Sequence, residues 1–289
     1  MLVELKNDNI TVQIETKGAE LKSIKNSNLE YLWQGDEKSW KRSAPILFPI
    51  VGALNHDRYV FNNKSYKMTQ HGFARDMEFE VIEQTNSSAL FSIKSNLETK
   101  KTFPFDFELI LGYEIQHNMI KVSYKVINRT DGSILFSIGA HPGFNCPIDN
   151  NLDFSDYKLT LNKKETSQRR LKNEKVMNGN KVKYLNDENE IKLSHNLFKD
   201  GAIIFDNLKS SSITLESDKD VKKVIMDFTG FPYFGIWSWP PEASNYICLE
   251  PWYGIDSTVG DVPNWEKKEG LINLESNKTF TAFYTVQIV

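Results

Sequence analysis

The chain has 289 residues, 40% hydrophobic and 25% charged, an ordinary globular make-up that is long enough to bury a core without disulfide staples or a structural metal. Its 35 basic and 38 acidic residues are interspersed and leave a net charge of -3, which excludes the basic stripe of a nucleic-acid binder. No apolar run is long enough to span a bilayer. Met1 to Lys6 lacks the basic-then-apolar layout of a secretory signal, and Cys146 and Cys248 make no disulfide framework, so a cytoplasmic location is the expectation.

In chain order, Ile10 to Glu15 alternates apolar and polar residues, the mark of a half-buried strand. Ala89 to Ile93, Phe107 to Ile115, Ile120 to Val126, Tyr157 to Leu161, Ile213 to Leu215, Val221 to Phe228 and Phe280 to Val289 carry similar patterns, rich in β-branched and aromatic residues. Turn signals separate them: Lys17-Gly18, Asn62-Asn63, His117-Asn118, Thr130-Asp131-Gly132 and Lys199-Asp200-Gly201. Leu152 to Asp156 and Ser194 to Phe198 fit single helical turns, and the polar stretch Asn162 to Glu190, with its basic run at Lys163 to Lys172, reads as an exposed, solvated excursion. Many short strands with regular turns predict an all-β chain, a large antiparallel β-sandwich. No repeat, linker or break in composition divides it, so residues 1–289 are read as one domain.

Three segments carry candidate chemistry. Of five histidines, His56 and His117 lie in turns and His195 in a short polar-flanked segment. His71 (Gln70-His71-Gly72-Phe73-Ala74-Arg75) and His141 (Gly139-Ala140-His141-Pro142-Gly143-Phe144) instead follow strand-like runs and precede residues that let another backbone or a ligand approach. In Tyr246-Ile247-Cys248-Leu249-Glu250-Pro251-Trp252, Glu250 closes an apolar strand that Pro251 is expected to stop. A carboxylate there is costly to bury unless paired or used. The aromatic stretch Phe231 to Pro240, which includes Trp237, fits either core or the flat C–H face of a pyranose. Neither Cys-x-x-Cys nor His-Glu-x-x-His is present, so no metal is expected.

Together these segments resemble the aldose 1-epimerase (galactose mutarotase-like) family over almost the whole chain, closest to its LacX-type branch. The landmarks are Ala44-Pro45-Ile46-Leu47-Phe48-Pro49-Ile50-Val51-Gly52, His71-Gly72-Phe73-Ala74-Arg75, Gly139-Ala140-His141-Pro142-Gly143-Phe144 and Cys248-Leu249-Glu250-Pro251-Trp252. The resemblance implies a β-sandwich with an open sugar cleft, His141 as general acid on the ring oxygen, Glu250 as general base on the C1 hydroxyl and His71 as a second histidine. It further implies Arg42 and Asp206 as sugar-binding residues, with Asp206 having a plain turn as its alternative. Anomer interconversion by this route needs no cofactor. Three readings stay open: a free-hexose epimerase; a hexose-6-phosphate epimerase in which Arg75 and Arg42 hold the phosphate, Arg75 otherwise pairing with Asp76 or Glu78; and a non-catalytic carbohydrate-binding protein, acting as monomer or homodimer.

Overall fold

The computed structural model describes residues 1–239 and 244–289; Pro240, the end of the aromatic stretch, lies outside the described residues. The chain is built of antiparallel sheets. The largest, with 15 strands among the described residues, runs from Ile46–Leu47 through Ile138–Ala140, Tyr246–Tyr253, Tyr233–Trp237, Ile203–Asp206 and Tyr157–Asn173. It continues through Ser212–Ser217, Asp220–Asp227, Thr279–Ile288, Met119–Asn128, Phe107–Gln116 and Ser88–Lys94 to Glu80–Gln84. A second sheet of four strands, Leu2–Lys6, Thr11–Glu15, Glu20–Asn26 and Leu29–Glu30, forms at the N-terminal end.

The alternating sequences fold as their period demands. Thr11–Glu15 and Met119–Asn128 bury every second residue, so one face joins the core and the other meets solvent. One apolar cluster extends from Val3 to Ile288 and includes Phe48, Phe103, Phe107 and Phe136 with ring centroids 5.1–6.1 Å apart around Phe48. Tyr246–Tyr253 differs: seven of its eight residues are buried in unbroken succession. A strand covered on both faces reads as a continuous apolar run, and any polar group within it must find a partner or a cavity.

Two expectations are corrected. The polar stretch after Leu161 is ordered as a long hairpin, Tyr157–Asn173 paired with Val176–Lys192, turning at Glu174 and Lys175. Beyond Leu161 both of its faces are largely solvated and the register shifts four times, so the hydrophobic alternation that betrays a strand is missing there. Pro251 does not stop its strand, which continues to Tyr253. On that side the neighbouring chain is itself interrupted: Ile138–Ala140 pairs opposite Trp252 and Tyr253, and Gly143–Asn145 opposite Tyr246 to Cys248. Pro251 falls in the gap, where an absent N–H leaves no ladder bond unmade.

Candidate active site

That gap creates the site. His141 occupies the interruption between the two short strands, opposite Leu249 to Pro251, and its Nε2 stands 3.1 Å from Glu250 Oε2. The two atoms are not aligned as a hydrogen bond, and Glu250 Oε2 and His141 Nδ1 are buried with no hydrogen-bond partner among the described residues. Burial drives Glu250 well above the ordinary carboxylate value and His141 down to about 3, because a charge buried away from water is disfavoured on either group. Protonated Glu250 with neutral His141 holds one proton, and so does the Glu250 carboxylate with a histidinium. The pair therefore differs between its neutral and ionic forms only in which side of the 3.1 Å gap the proton occupies.

His71 stands at right angles to His141, ring centroids 5.7 Å apart. Its backbone is left-handed, φ 66°, a conformation that costs a non-glycine residue energy and is found at functional sites. Its Nδ1 accepts the Gly52 N–H at 3.1 Å, so the neutral ring carries its proton on Nε2; the Gln70 amide nitrogen stands 3.2 Å from that atom, and a hydrogen bond between the two side chains requires the Gln70 carboxamide to turn its oxygen inward. Burial, then the neighbouring His141 and Arg75, push its pKa well below the ordinary value. His71 is thus a fixed neutral donor.

These groups lie on a cleft of about 340 Å³, the lower end of the range for small-molecule sites. Trp40, Trp237 and Trp252 wall it, with Trp40 and Trp237 packed 4.9 and 5.7 Å from the His141 ring. Arg75 also lines it, anchored through Nη2 on the Gln70 carbonyl at 2.7 Å, with its Nε buried and unpartnered. The structure therefore brings together His71, His141, Glu250, Arg75 and Trp237.

Arg42 and Asp206 are not among the residues lining this cleft. Arg42 binds Asp76 at 2.7 Å, the carboxylate that Arg75 approaches at 4.0 Å. Asp206 is engaged elsewhere, accepting from Arg170 Nε at 2.9 Å and Lys181 Nζ at 2.7 Å. Because Arg170 and Lys181 belong to opposite strands of the long hairpin, Asp206 clamps that hairpin from the end of its own strand, where Asn207 turns the chain at φ 54°. The basic run is likewise no solvated loop, since Arg170 also pairs with Glu269 at 2.9 Å.

The aspartate that lines the cleft is Asp256, fully buried, held by the Ala53 N–H at 2.7 Å and the Lys172 ammonium at 3.0 Å. Sequence reading missed both residues. Asp256 lies beyond the strand in a loop with no periodicity, and Lys172 lies in the hairpin whose strands were concealed. Trp40, an isolated tryptophan in a polar stretch, gave no signal either.

His141, Cys248 and Glu250 place one ligand atom each within 4.8 Å of one another, the metal-like cluster of the described residues. Burial pushes the Cys248 thiol well up, which favours the protonated form, a poor ligand.

The sequence profile of the aldose 1-epimerase family matches residues 1–266. The chain belongs to the aldose 1-epimerase family. Protein LacX of Lactococcus lactis subsp. lactis is 34% identical, over the full length of both chains. A galactose mutarotase related enzyme from Lactobacillus acidophilus is 35% identical and superimposes with a TM-score of 0.96, covering 100% of this chain and 97% of the other. A galactose mutarotase-like protein from Lactobacillus casei, 33% identical and covered in full on both sides, gives 0.94. The galactose mutarotase-like β-sandwich of this epimerase family is therefore the fold of this chain. Among the described residues no helix is long and apolar enough to cross a membrane.

Proposed function

We propose that the protein is a cofactor-independent aldose 1-epimerase that interconverts the α and β anomers of a hexose. The observation that carries this reading is the pair Glu250 and His141, 3.1 Å apart at the base of a tryptophan-walled cleft, with Glu250 Oε2 and His141 Nδ1 buried and without hydrogen-bond partners among the described residues. Buried polar groups without partners are costly, and an acid–base pair in a pocket is the arrangement that ring opening requires.

In the proposed reaction the Glu250 carboxylate removes the proton from the C1 hydroxyl. The C1–O5 bond breaks as the carbonyl forms, and His141 delivers its proton to O5. After rotation about C1–C2, His141 takes that proton back, O5 attacks the opposite face of C1, and Glu250 returns the proton to O1. The one proton held by the pair suffices for either direction. His71, with its proton on Nε2, donates a hydrogen bond to the sugar, and Trp237 and Trp40 cover an apolar ring face. Residues 1–289 act as one unit in this reading, and the two buried, unbridged cysteines accord with a reducing, cytoplasmic setting.

The test is polarimetry of freshly dissolved α-D-glucose and α-D-galactose with and without the protein. Acceleration supports the reading, and tight sugar binding without acceleration replaces it with a carbohydrate-binding role. A second reading, a hexose 6-phosphate as substrate, is favoured by Arg75, whose buried Nε has no hydrogen-bond partner among the described residues and only approaches Asp76 at 4.0 Å, and by Lys175 at the cleft. Acceleration confined to α-glucose 6-phosphate selects it.

A further inference from the structure

The long hairpin does more than extend the sheet: its turn, from Lys172 to Lys175, forms one wall of the cleft. It is held there at two levels. Asp206 binds Arg170 on one strand and Lys181 on the other. Nearer the tip, the Met177 N–H donates to the Ser257 carbonyl at 2.9 Å and the Val259 N–H to the Met177 carbonyl at 2.7 Å. Met177 itself is buried against Val51, Trp252 and Ile255. The tip is thereby stitched to the segment that follows the Glu250 strand, and Lys172 is brought onto Asp256 beside the reacting groups.

We propose that Lys172, delivered by the hairpin and fixed by Asp256, is a positioning residue for Glu250, its ammonium favouring the ionised carboxylate that proton abstraction needs over the protonated form that burial favours. This rests on the epimerase reading for its catalytic meaning, and on the geometry of the cleft for its electrostatic content. Glu250 shares its cleft with His141 from the interrupted neighbour strand, with His71 and Arg75 from the loop, with Lys172, Glu174 and Lys175 from the hairpin and with Asp256, and interacts with Cys248 and Tyr246 on its own strand. Of these, Asp256 opposes ionisation and Lys172 is the leading cation that favours it. A buried carboxylate with no cation nearby stays protonated at neutral pH, and a protonated Glu250 cannot take the C1 proton. Lys172 also answers the charge of Asp256, which is fully buried and whose other hydrogen bond comes from a neutral N–H.

The experiment is a pH titration of protein carrying 13C at the glutamate side-chain carboxyl, with Glu250→Gln identifying the Glu250 resonance, alongside pH profiles of mutarotation. Lys172→Met should move the Glu250 midpoint up by about one pH unit or more, and the acid limb of kcat/KM with it. Lys172→Arg, which keeps the charge, should restore the wild-type midpoint. Asp256→Asn, which removes the opposing anion and keeps an acceptor for Ala53, should move the midpoint down. The same midpoint in all variants, or shifts of one sign in Lys172→Met and Asp256→Asn, overturns the proposal. If the midpoints move as stated while no sugar mutarotates faster, the electrostatic link stands and the epimerase reading falls.

Discussion

Replacing Glu250 by glutamine should expose a pH dependence of stability that the intact pair conceals. In the unfolded chain His141 titrates near 6.5 and Glu250 near 4.5. Between those values the unfolded pair carries a charged histidine and a charged carboxylate, one proton in all. In the folded protein burial holds His141 neutral down to about 3 and keeps Glu250 protonated above its ordinary value, again one proton. Equal proton counts give no slope. In Glu250→Gln only His141 remains, neutral when folded and protonated when unfolded. The unfolded state then binds the extra proton, so unfolding free energy rises with pH across this window. With the unfolded histidine fully protonated at pH 4.5 and half protonated at pH 6.5, the gain across this window is about 2 kcal/mol relative to wild type. His141→Asn should do the reverse: Glu250 alone keeps its proton in the folded state, so stability falls as pH rises. Urea unfolding followed by tryptophan fluorescence across this range measures both, and groups common to all variants cancel in the differences. A Glu250→Gln curve parallel to wild type would refute the reasoning, because His141 would then take its proton in the folded state at ordinary pH.

Glu250→Gln and His141→Asn should each lower kcat for mutarotation by about 10²–10⁴-fold, the usual worth of a positioned proton-transfer group; polarimetry at matched fold content by circular dichroism checks it, and near-wild-type turnover rejects the assigned roles. Trp237→Ala should raise KM more than it lowers kcat, since the ring packs beside His141 without reaching a titrating atom; initial rates over a range of sugar concentrations separate the two. Asp206→Asn should loosen the hairpin and speed its limited proteolysis while the Glu250–His141 pair stays in place, a result read by mass spectrometry of the fragments; unchanged cleavage removes the clamp. Gly52→Ala should cost at least about 2 kcal/mol, since Gly52 has φ +76° and an added Cβ would lie 2.5 Å from the Asp256 carboxyl carbon; the melting temperature should fall by several degrees.

The strands that sequence makes plain are those with one wet and one dry face, such as Thr11–Glu15 and Phe107–Gln116, because burial then writes itself as a period of two. The hairpin Tyr157–Lys192 breaks that link. Tyr157 to Leu161 alternates and is legible, but beyond it solvent reaches both faces over most of the length, and the few buried anchors there, Glu165, Met177, Leu185 and Ile191, are too sparse to form a pattern. The site divides along the same line. His71, His141 and Glu250 announce themselves as polar residues set in apolar, glycine- and proline-marked segments. Asp206 and Asp256 are both aspartates near strand ends, and nothing local says which meets the cleft and which meets Arg170 and Lys181. That choice is made by the hairpin, whose path across the sheet is a long-range fact.

The division of labour in this cleft also governs how it can change. Glu250, His141 and His71 sit in close-packed strands and strained turns, where almost any replacement disturbs neighbours on every side. The opposite wall is the turn of a polar, mostly solvated ribbon, tied down by a handful of contacts. Recharging or lengthening the tip of that ribbon beyond Lys172 can reshape what the cleft admits while the buried acid–base pair is left alone. A designer seeking a new sugar preference would begin at Glu174 and Lys175 and leave Lys172 and the strands around Glu250 untouched.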